Sequence, residues 1–137
     1  MKNFCCTLAT LGMLMAMVSP DPVHVSMDFH CDGSRVPWCG DLFFYEADSH
    51  STHDILKSEH FCTNETVHRF QWTLWPGGDL SRHYELTYQL NHDCTSDGYV
   101  RCIKPEPLRV KVNGDRKAKF TALLKDVGTK PGCPPMH

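Results

Sequence analysis

The hydrophobic pattern changes character near Asp21. Before it, Phe4 to Val18 runs FCCTLATLGMLMAMV, almost wholly apolar and without a charge. Beyond it, apolar positions come in short runs broken by turn residues, with no long stretch at the helical period. His83 to Leu90 alternates most cleanly. Tyr84, Leu86, Tyr88 and Leu90 fall on one face, and Glu85, Thr87 and Gln89 on the other, as in a half-buried strand.

Other segments read the same way. Residues 39–46 (CGDLFFYE) predict a strand, residues 47–54 (ADSHSTHD) a polar loop, and residues 55–62 (ILKSEHFC) a returning strand. Residues 67–75 form a further run, halted by Pro76-Gly77-Gly78. Asp97-Gly98 marks a hairpin turn between Cys94 and Cys102. Leu108, Val110 and Val112 alternate with Arg109 and Lys111 before Asn113-Gly114. Residues 118–127 suit a strand or a helical turn, and residues 128–137 an irregular tail. About seven short strands at this spacing predict an all-β sandwich or barrel.

The apolar start is too short to span a bilayer and has the length of a signal-peptide core behind Met1-Lys2-Asn3. We expect a signal peptide over residues 1–20, cut somewhere between 18 and 26, and one domain over 21–137. No second long apolar stretch follows. The expectation is therefore a secreted, extracellular protein that is not an integral membrane protein. Asn64-Glu65-Thr66 is an N-glycosylation acceptor pattern and predicts an exposed loop.

Export changes the reading of the cysteines. Cys5 and Cys6 leave with the signal. Cys31, Cys39, Cys62, Cys94, Cys102 and Cys133 remain, an even set that predicts a disulfide framework. Antiparallel partners have numbers of constant sum. Pairing 39–46 with 55–62 places Cys39 opposite Cys62 and Glu46 opposite Ile55. Cys94 and Cys102 flank the Asp97-Gly98 turn, and Cys31 with Cys133 is left by elimination. This is one of fifteen possible connectivities.

The order of residues resembles the nematode transthyretin-like family. Leu42-Phe-Phe-Tyr45-Glu46-Ala-Asp48 with Asp54-Ile-Leu56 is similar to its LYExD and DxLL region, and Phe70 to its GxF strand. Tyr84 to Cys94, ending in Asn91-His92-Asp93-Cys94, is similar to its pYLxIyHdC signature. Cys102 with the basic, alternating residues after it resembles its CxRkvxIxIP strand. Cys39 and Cys62 look like additions to the usual set. The resemblance spans Cys31 to His137. It implies a Greek-key, prealbumin-type β-sandwich and a binding or bridging role, with an anionic phospholipid among the ligands of some relatives.

Charge and motifs narrow the function. Fourteen basic against sixteen acidic residues give a net charge of −2, which disfavours nucleic acid as a partner. Among nine histidines, His50, His53 and the nearby His60 make a candidate zinc set, with Asp48 and Asp54 beside them. The alternative is a solvated loop. His92-Asp93 could orient an imidazole, but Cys94 reads as disulfide-bonded, and the segment reads better as a strand end held by side-chain hydrogen bonds to the backbone. Transthyretin-related hydrolases end in YRGS, whereas this chain ends Gly132-Cys-Pro-Pro-Met-His137. Trp75 at a loop edge, with Arg109 and Lys111 in the basic second half, are candidate contact residues. We expect no enzyme activity and no cofactor. The expected function is binding of an extracellular partner: a lipid headgroup, a small apolar molecule or a protein surface. The alternative is a disulfide-scaffold effector or inhibitor that docks on a protein.

Overall fold

The alternation at residues 83–90 becomes the spine of the larger of two sheets. The structure, a computed structural model, describes residues 21–32, 36–47, 52–77 and 82–137. Eight strands run in order: β1 Val23–His30, β2 Trp38–Glu46, β3 Asp54–Thr63, β4 Val67–Leu74, β5 His83–His92, β6 Arg101–Ile103, β7 Leu108–Lys111 and β8 Arg116–Leu123. The described residues contain no helix. The segment expected as strand or helical turn is therefore a strand, β8, followed by a turn at residues 125–126.

The larger sheet has the order β3-β2-β5-β6, with β7 on the same edge of β5 as β6, farther along. All its pairings are antiparallel. The smaller sheet has the order β4-β1-β8, with β1 antiparallel to β4 and parallel to β8. The two sheets pack face to face over one core. Val23, Val25, Met27 and Phe29 of β1 and Ala118 and Phe120 of β8 meet Leu42 and Phe44 of β2 and Leu86, Tyr88 and Leu90 of β5. Aromatic rings dominate the contact. Phe29 stands edge-on to Tyr88 at 5.3 Å, and Phe44 to Phe120 at 5.6 Å. Burial pushes the Tyr88 hydroxyl up to about 12.

The central strand β1 is absent from the sequence-based expectation, which placed the cleavage window across it. Yet it alternates fully, with Val23, Val25, Met27 and Phe29 buried and His24, Ser26, Asp28 and His30 facing outward. The β2–β3 hairpin follows the expected register, Cys39↔Cys62 through Phe44↔Lys57, and then shifts. Tyr45 pairs with Ile55 and Glu46 with Asp54, because a bulge leaves Leu56 unopposed. Glu46 therefore does not face Ile55.

The disulfides are Cys39–Cys62, Cys31–Cys94 and Cys102–Cys133. The expected Cys94–Cys102 and Cys31–Cys133 bridges do not form. Register is the reason for the first. β6 pairs with β5 so that Cys102 faces Asn91, three residues short of Cys94. Cys94 lies beyond the end of β5 and reaches across to Cys31, which follows β1 in the other sheet. Cys133 is held elsewhere: the tail returns over β5 and β6, where Thr129 bridges Cys102. Asn91 donates to Cys133 O and accepts from Cys133 N, both at 2.8 Å.

Candidate functional site

The outer face of the smaller sheet is a polar surface built by strand period alone. Buried Val and Met positions of β1 force His24, Ser26, Asp28 and His30 outward. Their neighbours are Thr73, Gln71 and Arg69 on β4, and Lys117, Lys119 and Thr121 on β8. Across this face lies an open cleft of about 710 Å³ with His24, Ser26, Gln71, Thr73, Lys117 and Lys119 along it. His24 contacts Thr73 Oγ1 at 3.0 Å through Nδ1 and Asp115 at 2.7 Å through Nε2. Asp28 sits 3.4 Å from Arg69 and 3.9 Å from Lys119. Lys117, on the β8 edge opposite His24, has no ion-pair partner among the described residues, so that edge of the face is cationic. Trp75, 60% exposed, follows directly on β4 beyond the Thr73 end of that row.

The three expected contact residues do not share this surface. Trp75 extends the smaller sheet, whereas Arg109 and Lys111 lie on β7 in the larger one. Arg109 is 3.3 Å from Glu85. Lys111 lines a separate cleft of about 480 Å³ with Arg82, His83, Val112 and Asn113.

The expected metal set is not assembled. His50 lies outside the described residues. His53 and His60 are seven residues apart along extended chain. At a rise of ~3.3 Å per residue they stand on the order of 20 Å apart, far beyond a shared ion. His53 packs on the Tyr45 ring at 4.9 Å, and His60 contacts Asp41 at 2.6 Å. The described residues hold no group of three or more His, Cys, Asp or Glu that could bind a metal ion. Asn64 is exposed in the turn between β3 and β4.

The Asn91-His92-Asp93-Cys94 segment binds the backbone on every side. Asp93 accepts from Cys39 N at 2.7 Å, and His92 Nε2 donates to Val127 O at 3.0 Å. Burial lowers the affinity of the His92 ring for a proton. The His92 Nδ1 and the Arg101 Nε beside it are both enclosed without a hydrogen-bond partner among the described residues. Arg101 is otherwise tied to Asp97 at 3.0 Å and to Asp126 O at 2.6 Å. Hydrogen bonding to Lys130 is the main cause that holds the Asp97 carboxyl down at about 2.

A family model described as Caenorhabditis elegans protein of unknown function (DUF870) matches residues 26–136. The chain belongs to that family. The family's description assigns no activity and names no transthyretin-like relationship. No curated protein matches the chain. Among solved structures it is similar to an alternative pilotin from the type II secretion system of Vibrio cholerae. The identity is 10% and the TM-score 0.43, over 76% of this chain and 96% of that one.

Sequence reasoning missed the cationic sheet face of this family member because it missed β1. The available signal was the alternation of Val23, Val25, Met27 and Phe29.

Proposed function

We propose that this chain is a secreted, non-catalytic binding protein of the transthyretin-like type. It takes an anionic phospholipid headgroup on the outer face of the β4-β1-β8 sheet. The observation that carries the reading is the open cleft of about 710 Å³ with Lys117 and Lys119 along it. The cleft is open, which suits a headgroup resting on a surface rather than a buried small molecule. Lysines at a membrane surface each contribute ~1 kcal/mol against anionic lipid. Trp75 adds an exposed aromatic at the end of the face, where such a ring can enter the interface. Three disulfides in a small β-domain are compatible with the oxidising space the proposal requires. No described helix is long and apolar enough to cross a membrane, so the contact we propose is peripheral. The two-sheet sandwich and the Asn91-His92-Asp93-Cys94 signature support the transthyretin-like type.

Co-sedimentation with vesicles tests the proposal. Vesicles containing phosphatidylserine should bind the protein, and phosphatidylcholine vesicles should not. Lys117→Glu with Lys119→Glu should weaken binding by about tenfold or more. Equal binding to both vesicle types, or no effect of the double substitution, contradicts it.

A second reading has its own observation. Tyr99, 65% exposed, and Val100 line a cleft of about 350 Å³ with Lys130, Pro131 and Gly132. Lys130 stands 4.8 Å over the Tyr99 ring. An effector or inhibitor docking on a protein would use this aromatic patch.

A further inference from the structure

Two cross-strand pairs lie side by side on the outer face of the larger sheet. Asp41 faces His60, and Cys39 faces Cys62. The strand period of two sets all four side chains on one surface. His60 Nδ1 lies 2.6 Å from Asp41 Oδ1. An ionised carboxylate only accepts, so Nδ1 carries the hydrogen, and in the neutral ring Nε2 carries the lone pair. That nitrogen lies 3.9 Å from Cys62 Sγ. A carboxylate orienting an imidazole beside a sulfur is the arrangement that activates thiols. Cys39 and Cys133 are both half-buried, but of the six bridged cysteines only Cys62 is exposed. β3 is an edge strand and Cys62 is exposed, whereas Cys31, Cys94 and Cys102 are each only 2–3% exposed.

We infer that Cys39–Cys62 is a thiol–disulfide exchange site, served by His60 as acid–base group and Asp41 as positioning residue, with a dithiol as reductant. The first thiol of the dithiol approaches Cys62 from the open edge and gives its proton to His60 Nε2. Its sulfur bonds to Cys62 Sγ, the Cys39–Cys62 bond breaks, and Cys39 leaves as thiolate. The second thiol attacks the reductant's own sulfur in the mixed disulfide. Its proton goes to Cys39, and Cys62 leaves and recovers the proton held on His60. Two electrons pass from the dithiol, which ends as a disulfide, to the protein, which ends with two thiols. In the reverse direction His60 draws the proton from Cys62, and the thiolate attacks a disulfide substrate. The exchange needs only the exposed hairpin and does not rest on the lipid-binding proposal.

The test uses the oxidised protein, dithiothreitol as the dithiol, timed alkylation and mass spectrometry of the trapped cysteines. Cys39–Cys62 should open first of the three bridges. His60→Ala should slow its opening by about tenfold or more, with added imidazole restoring part of the rate. Asp41→Asn should slow it less, and nitrogen NMR of His60 should show the Nδ1–H tautomer depleted. Both variants should leave the other two bridges opening at the unaltered rate. The inference is overturned if Cys31–Cys94 or Cys102–Cys133 opens first. It is equally overturned if His60→Ala opens at the unaltered rate.

Discussion

Gly128 has a φ of 110°, and a Cβ built there would stand 2.6 Å from the carbonyl oxygen of Cys102. Strain and clash coincide, at the point where the tail turns to pair Thr129 with Cys102. Gly128→Ala should destabilise the fold by about 1–3 kcal/mol, read as a lower denaturant midpoint. Gly114 is the control. Its φ is 80° but nothing lies within 4 Å, so its alanine variant should cost less. A second residue-scale prediction concerns His92. Its folded-state proton affinity is lowered below the ordinary 6.5, first by burial and further by the Arg101 charge, against Val127 O, Asp93 and Asp126. Above pH 6.5 the ring is neutral in both states. Below it the unfolded chain takes up a proton that the folded chain refuses, so stability falls on acidification. Asp97 works in a lower window. Its contribution is complete above the ordinary 3.8 and is lost as pH falls through about 2. Thermal unfolding at stepped pH should show the first decline beginning near 6.5, and His92→Gln should shrink it while retaining a donor to Val127 O, leaving the share of His68, whose proton affinity burial also lowers.

At the scale of elements, β1 is the strand on which the smaller sheet depends. β4 and β8 pair with it on opposite sides and not with each other. Any cleavage of the N-terminus compatible with this fold would therefore leave Val23 onward intact. Pro22 O also accepts from Arg116 N, and Asp21 from Gly114 N. A chain beginning at Asp21 should give a dispersed amide NMR spectrum, and one beginning at Met27 a collapsed one. Much of this level was legible in the sequence. The constant sum of the β2–β3 hairpin gives its partners from Cys39 to Phe44, and alternation gives β5. The bulge at Leu56 was not legible, because no turn residue or change of apolar pattern marks it. The parallel partnership of Val23 with Arg116 was not legible either, since the two strands are far apart in sequence.

The whole molecule is held by bridges of three kinds: one between sheets, one across a hairpin and one from tail to sheet. Cys31–Cys94, whose ends lie 63 positions apart in sequence, constrains the unfolded chain most, by about 4 kcal/mol in the chain-entropy model. Counting cysteines predicts a framework, but pairing depends on where strand ends arrive. The turn-flanking geometry therefore failed for Cys94 with Cys102, and elimination failed with it for Cys31 with Cys133. Proteolysis without reduction should yield linked peptides joining Cys31 to Cys94, Cys39 to Cys62 and Cys102 to Cys133, and no other pairs. The candidate binding face belongs to the same scale, for it exists only when β4, β1 and β8 lie together. Its polar row could not be read from any one segment. Titration of isotope-labelled protein with phosphatidylserine bicelles, followed by amide and side-chain NMR shifts, tests that face most directly. The binding account predicts shifts concentrated at His24, Ser26, Gln71, Thr73, Lys117 and Lys119. Shifts centred instead on Tyr99, Val100 and Pro131, or none at saturating lipid, would contradict it.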